Sequence, residues 1–73
     1  MSDQLTHFIC LGNNFAWGRA KTERGAVSNM RRASGTRATE YVVYHVTENA
    51  YVDELGDIRR PKGDAAPVLT KKA

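Results

Sequence analysis

Residues 39–47, TEYVVYHVT, carry the strongest structural signal in the chain. Aromatic and β-branched residues dominate this stretch, and both kinds favour the extended backbone of a β-strand. Side chains of a strand alternate between two faces, here Tyr41, Val43 and His45 on one and Val42, Tyr44 and Val46 on the other. Because both faces are largely apolar, we predict a strand that is buried on both sides or that offers one side to a partner.

One amphipathic helix is predicted upstream of this strand, from Glu23 to Ala33 or Ser34. Thr22 is a suitable N-cap, and Glu23 places negative charge in the first turn, where the helix dipole favours it. Gly35 suits the position that follows the last turn. The helix is expected to dock through apolar residues that recur at helical spacing: Ala26, Val27, Met30 and Ala33.

A short strand is predicted at residues 6–11, because an apolar run there ends at Gly12. Cys10 lies within this run, and we expect it to be a small buried hydrophobic residue rather than a nucleophile. The loop that follows contains Phe15 and Trp17. Two interpretations of these aromatic residues are open: they close one end of the core, or they form a stacking or interface anchor.

Two hairpin registers are compatible with the residues after the central strand. In the first, the chain turns at Asn49 and residues 51–55 pair back. In the second, the central strand runs on to Asp53, the turn lies at residues 54–57 and residues 58–60 return. Gly56 favours the second register, because glycine adopts a positive φ without a steric penalty. A bend at Asn49 is compatible with that register as well.

These elements predict a small α+β domain in which one helix packs on a face of a small antiparallel sheet, in the order β-α-β-β. We expect residues 1–61 to form this single domain. Residues 62–73 are expected to form a flexible basic C-terminal tail, because they offer few apolar side chains for packing. One helix covers only one face of a sheet, so the other apolar face is expected to be closed by a second copy of the chain or by another protein.

The net charge of +3 is distributed unevenly along the 73 residues. Residues 17–37 hold six basic residues against one acid, whereas residues 38–58 hold five acids and no lysine or arginine. Residues 59–73 hold five basic residues against one acid. The helix side is therefore a candidate polyanion surface, since the planar guanidinium of arginine suits phosphate. If the protein instead binds another protein, its acidic hairpin would compete with nucleic acid for a basic surface on that partner.

Two classes of function fit this pattern. We favour a small non-enzymatic protein-binding module: an inhibitor, adaptor or self-associating regulator of the kind that small viral or plasmid genes encode. Its interface is expected on the sheet and the acidic hairpin, at Trp17, Tyr41, Tyr44, Asp53 and Glu54. The alternative is a module that binds DNA or RNA through the arginine-rich helix side, at Arg19, Lys21, Arg24, Arg31, Arg32 and Arg37, with the basic tail adding attraction.

Sequence motifs give no support for catalysis. His7 and His45 stand far apart in the sequence, and one cysteine cannot complete a zinc site of the usual four-ligand kind. The acids near the predicted turn lack the glycine and acid spacing of an EF-hand loop. We therefore expect no catalytic residue, metal, cofactor or small-molecule substrate.

The first residues lack the basic start and apolar stretch of a signal peptide. No apolar run approaches the ~18 residues that a membrane helix needs. A cytoplasmic protein that does not bind membranes is therefore expected.

Overall fold

A computed structural model describes residues 4–34 and 40–73. The elements of these residues are β1 (His7–Gly12), β2 (Trp17–Ala20), α1 (Glu23–Ser34), β3 (Tyr41–Val46), β4 (Tyr51–Val52), β5 (Ile58–Arg59) and β6 (Val68–Lys72). The predicted α+β class is confirmed. Within these two ranges, no helix has the length and apolar character of a membrane span.

Four strands form one antiparallel sheet in the order β2-β1-β3-β6, and β4 pairs with β5 in a separate two-stranded sheet. β3, the tyrosine–valine strand, therefore lies between β1 and β6. Val43 is opposite Cys10 on one face, and Tyr44 is opposite Ile9 on the other. The predicted alternation of β3 is thus confirmed, and both of its faces are available for packing.

Helix α1 packs on one face of the four-stranded sheet, within the bounds that the sequence predicts. The backbone N–H of Gly25 donates to Thr22 Oγ1 over 3.0 Å, so Thr22 is the N-cap. Ala33 in the last turn is exposed, and the predicted position of Gly35 lies outside the described residues. Four fully buried residues form the core between helix and sheet: Cys10, Ala26, Met30 and Val43.

The β4–β5 hairpin packs on the opposite face of the sheet. Ile9 and Val46 of the sheet and Ala50 before β4 are buried there, and Val52 and Ile58 of the hairpin pack against them. The chain therefore covers part of its second face with its own residues. The rest of that face stays open, so the expectation that a second copy or another protein covers it remains a prediction.

The turn of the second predicted register is confirmed, because β4 pairs with β5 across residues 54–57. The prediction that the central strand runs on to Asp53 is wrong, since β3 ends at Val46 and β4 belongs to a separate sheet. Gly56 in this turn has a φ of 82°, which only glycine adopts freely. A separate turn precedes β4, where the backbone N–H of Ala50 donates to the carbonyl of Thr47 over 3.1 Å. The bend predicted at Asn49 and the hairpin turn therefore occur together.

The expected order β-α-β-β is wrong, because β2 and β6 occupy segments that were predicted as loop and as basic tail. β2 has a weak strand pattern because its two helix-facing residues, Gly18 and Ala20, must be small under α1. β6 forms because β3 has a second edge whose backbone groups need partners. Residues 68–72 of the predicted tail therefore belong to the sheet.

Candidate binding cleft

An open cleft of about 580 Å³ lies on the sheet face opposite α1, beside the turn of the β4–β5 hairpin. Leu11 of β1 and Val42 of β3 are opposite each other on this face and form the floor of the cleft. Phe15 from the β1–β2 loop and Leu55 and Gly56 from the hairpin turn line its walls. This volume falls within the range of sites that receive ligands or side chains of a partner.

Phe15 is the most exposed large apolar residue among those described, with 84% of its surface accessible. Its φ of 66° lies in the left-handed region, which costs a non-glycine residue on the order of 1–2 kcal/mol. The loop is held in this shape because Gly12 N–H donates to the Ala16 carbonyl over 2.8 Å and Ala16 N–H donates to Asn14 Oδ1 over 3.3 Å. Phe15 therefore does not close the core. It is a strained and exposed aromatic residue, a combination that is concentrated at functional sites.

The hairpin turn is organised by the carboxylate of Asp53. Its Oδ1 accepts the backbone N–H groups of Leu55 and Asp57, each over 2.9 Å, and its Oδ2 accepts Arg59 Nε–H over 2.7 Å. The hydrogen bond from Arg59, followed by the one from Asp57, lowers the pKa of Asp53 from its ordinary value. Asp53 thus holds the turn that presents the exposed Leu55, and Glu54 is exposed beside it.

Exposed apolar side chains continue across the sheet from the cleft. Trp17 of β2 is opposite Leu11 on the same face and keeps 42% of its surface accessible. Leu69 of β6 is opposite Tyr44 on this face and is about half exposed. A run of exposed apolar residues around a concave site is typical of a surface that another molecule covers.

Four of the five predicted interface residues lie on the cleft side of the sheet or in the hairpin turn: Trp17, Tyr44, Asp53 and Glu54. Tyr41 borders the cleft, but its ring packs against the core on the helix side. Arg31 Cζ is 5.9 Å and Lys71 Nζ is 5.8 Å from the centroid of this ring. These are cation–π distances, so Tyr41 holds two cations in place on the helix side.

The predicted basic residues do not form one surface. Three of them are exposed on α1: Arg24, Arg31 and Arg32. Arg19 is opposite Ile9 on the other face of the sheet, and its guanidinium donates to the carbonyl of Glu48. Lys21 is exposed between β2 and α1, and Arg37 lies outside the described residues. The polyanion surface that the sequence predicts is therefore divided between the two faces of the sheet.

The thiol of Cys10 and the imidazole of His7 lie in settings that disfavour their charged forms. Burial raises the pKa of Cys10 to about 11, although the charges of Arg31 and Lys71 act in the opposite direction. Burial and the charge of Arg19 lower the pKa of His7. The prediction that Cys10 is a buried hydrophobic residue is confirmed. In residues 4–34 and 40–73, no group of three or more His, Cys, Asp or Glu residues is placed to hold a metal ion.

Four apolar residues in or beside the cleft were not predicted as site residues from the sequence: Leu11, Val42, Leu55 and Leu69. Leu11 and Val42 resemble ordinary core residues of their strands, since their exposure depends on where the hairpin ends. The one available signal was Leu55, a large apolar residue that stands beside Gly56 in an acidic turn. A residue at the tip of a tight turn cannot reach the core, so its exposure was predictable.

No protein-family model, curated protein or solved structure matches this chain. Its function is therefore inferred from the cleft and from the charges around it.

Proposed function

We propose that this protein is a non-enzymatic protein-binding module that receives a large apolar side chain of its partner in the cleft beside Phe15 and Leu55. Three exposed acids lie in the cleft rim or in the adjoining turn: Glu40, Glu54 and Asp57. These acids favour basic residues next to the apolar residue of the partner. A nucleic-acid-binding surface on another protein has this basic character. An inhibitor or adaptor of such a protein is the role that this chemistry fits best.

The observation that carries the proposal is the joint exposure of Phe15 and Leu55 at one cleft. Their accessible fractions are 84% and 74%, and a Cβ atom on Gly56 would lie 3.7 Å from Phe15 Cδ1. Both loops that hold these side chains are fixed by hydrogen bonds, so the apolar surface is formed before a partner arrives. A preformed aromatic anchor loses little conformational entropy on binding, which is why such residues dominate binding energy in interfaces.

The lining of the cleft also fits binding better than catalysis. Within the described residues, the charged side chains of the lining belong to Glu40 and Lys72. The same lining contains no histidine, cysteine, serine or threonine; the residues in it that can exchange a proton are Glu40, Tyr41 and Lys72. An apolar floor bordered by Glu40 and Lys72, with Glu54 and Asp57 in the adjoining turn, is the arrangement of an interface with an apolar centre and a charged periphery.

Selection from a library of displayed random peptides tests the proposal directly. The wild-type protein is expected to select peptides in which an aromatic or aliphatic residue stands next to lysine or arginine. Affinity of the selected peptides for a Phe15→Ser, Leu55→Ser double variant should fall by about tenfold or more, because interface anchors contribute ~2 kcal/mol or more. Both side chains are exposed, so this variant should keep the wild-type fold and circular dichroism spectrum.

Val68→Ser is the matched control, because Val68 is an exposed apolar residue on the helix side of the sheet. It should bind the selected peptides as tightly as the wild-type protein. Equal binding to the double variant, or selected peptides without an apolar residue, would contradict the proposed role of the cleft.

The nucleic-acid alternative is separated from this proposal by a charge-reversal variant, Arg31→Glu, Arg32→Glu. Both arginines are exposed on α1 and lie away from the cleft. The variant should bind the selected peptides with unchanged affinity. Tight binding of duplex DNA by the wild-type protein that weakens steeply with salt and disappears in this variant would favour the alternative instead.

A further inference from the structure

β6 forms one edge of the four-stranded sheet, since it pairs only with β3 within the described part of the chain. All five of its residues are exposed, and Val68 and Leu69 keep about half of their surface accessible. An edge strand presents backbone N–H and C=O groups that a further strand can pair with. Lys72 of β6 also lines the cleft, whereas the other four residues of β6 lie outside the cleft lining.

The hydrogen bonds next to β6 show which of its backbone groups point outward. Tyr41 and Ala73 exchange both backbone hydrogen bonds, over 2.8 and 2.9 Å. In an antiparallel pair the next residues form a pair without mutual hydrogen bonds, and here these are Val42 and Lys72. The N–H and C=O of Lys72 therefore point away from β3 towards the open edge. The register then shifts between Val43 and Tyr44, which leaves Thr70 without an opposite residue in the ladder.

The edge at β2, on the other side of the sheet, is less open. Asn29 Nδ2–H of α1 donates to the backbone carbonyl of Arg19 over 2.8 Å. A Cβ atom on Gly18 would overlap the backbone of α1, so the helix lies directly over this strand. Of the two edges, β6 is the one that can accept another strand.

We propose that the edge of β6 accepts an extended acidic peptide segment of another protein as a fifth strand of the sheet. Lys71 is opposite Val43 and Lys72 is opposite Val42, so their ammonium groups lie on the two faces of the strand. Adjacent acidic residues of a partner strand meet both lysines, and apolar residues of that strand meet Val68 and Leu69. The backbone pairs supply affinity, and the side chains set the register.

Charge and backbone pairing favour an acidic peptide at this edge over a second copy of the chain and over a nucleic acid. A second copy paired edge to edge would bring its own Lys71 and Lys72 to the same edge and gather four like charges. A nucleic acid would meet the lysines, but it has no strand backbone to pair with Lys72 and no aliphatic side chain for Val68. An acidic extended peptide satisfies the backbone, the apolar pair and the charges together.

A fluorescent peptide that joins a valine-isoleucine half to a glutamate-rich half serves as the probe, with anisotropy as the measurement. Lys71→Glu should weaken its binding by about tenfold or more, because attraction becomes repulsion at a site that the partner strand covers. Lys72→Pro should weaken binding more than Lys72→Ala does, since both remove the charge but only proline removes the outward N–H. The same peptide with N-methyl groups on alternate backbone nitrogens should bind weakly.

Phe15→Ser, Leu55→Ser is the control variant, because neither residue belongs to β6, although Lys72 lines the same cleft as both. Lys71 lies outside the cleft lining, so Lys71→Glu tests the edge alone. The control variant should bind the acidic probe normally, so loss at the cleft and loss at the edge are distinguishable. The inference is overturned if a lysine-rich peptide binds the Phe15→Ser, Leu55→Ser variant as well as the acidic one does, or if N-methylation has no effect. It is also overturned if a thymidine oligonucleotide binds as tightly, or if light scattering shows a dimer that Lys72→Pro dissociates.

Discussion

Gly18 and Met30 meet backbone to backbone, because a Cβ atom on Gly18 would overlap the amide nitrogen of Met30. The same atom would lie 2.7 Å from the carbonyl carbon of Asn29. Backbone atoms of a capped helix cannot move aside as a flexible side chain does. The distance between β2 and α1 is therefore set by the absence of a side chain at residue 18.

Gly18→Ala should lower the free energy of unfolding by about 1–3 kcal/mol, the range of overpacked core substitutions. The added methyl group has to push α1 away from the sheet, which loosens the burial of Ala26 and Met30. Urea unfolding followed by circular dichroism measures the effect. Ser28→Ala, at an exposed position of the same helix, should change it by less than about 0.5 kcal/mol. A Gly18→Ala variant as stable as the wild-type protein would contradict the close approach.

The bonds to Asp53 predict a pH dependence of stability. The folded-state pKa of Asp53 lies below its unfolded value of 3.8, so its contribution is present in full above that pH. The contribution is lost as the pH falls through the lower folded-state pKa. Asp53→Asn should therefore make the melting temperature decline less steeply below about pH 4 than in the wild-type protein.

Arg59→Gln should likewise make the melting temperature fall less steeply below about pH 4, because it removes the largest cause of the lowered pKa of Asp53. Arg24→Gln, an exposed arginine of α1, is the control and should keep the wild-type pH profile. Identical pH profiles for wild type, Asp53→Asn and Arg59→Gln would show that the turn does not depend on this pair.

Phe15→Asn should raise stability and weaken binding at the cleft. Asparagine adopts a positive φ more readily than phenylalanine, so the free energy of unfolding should rise by up to about 1 kcal/mol. The same change removes the exposed ring and should lower the affinity for the selected peptides by about tenfold or more. Phe15→Leu is the control, since it keeps an apolar side chain and the strain. A loss of stability in Phe15→Asn would mean that the ring supports the fold.

Cys10 should resist thiol reagents in the native protein. It is fully buried, and its pKa of about 11 leaves little thiolate at pH 8. Labelling with a chromogenic disulfide reagent should therefore be slow in buffer and fast in denaturant. Ser28→Cys provides an exposed thiol for comparison and should add one rapidly labelled group. Rapid labelling of the wild-type protein in buffer would contradict the burial of Cys10.

The elements that were predicted correctly are those whose own residues show the expected pattern. Thr22 accepts a hydrogen bond from the first turn of α1, as an N-cap does. The side chains of the tyrosine–valine strand alternate between the two faces, and Gly56 supplies the positive φ of the hairpin turn. β2 and β6 were missed because each depends on a distant neighbour. A glycine is required at residue 18 because the backbone of Met30 packs directly against it. β6 forms a strand because it pairs with the free edge of β3.

The cleft was less predictable than the fold. Trp17 and the acidic turn, which were predicted from residue type, lie beside the cleft, whereas the ring of Tyr41 packs on the helix side near Arg31 and Lys71. Burial of Val42 and Leu11 depends on how far the hairpin extends along the sheet. That length cannot be predicted from the residue pattern of a single strand. The positive φ of Phe15 likewise depends on how its loop closes.

Among the described residues, no hydrogen-bonded ladder joins the hairpin wall of the cleft to its floor, since the hairpin is a sheet of its own. The other wall, at Phe15, lies in the loop between β1 and β2. Evolutionary change in the loop around Phe15 or in the turn around Leu55 can therefore alter what fits between them while the four-stranded sheet stays constant. Such a division lets a small protein follow a changing target, as the variable loops of a rigid scaffold do.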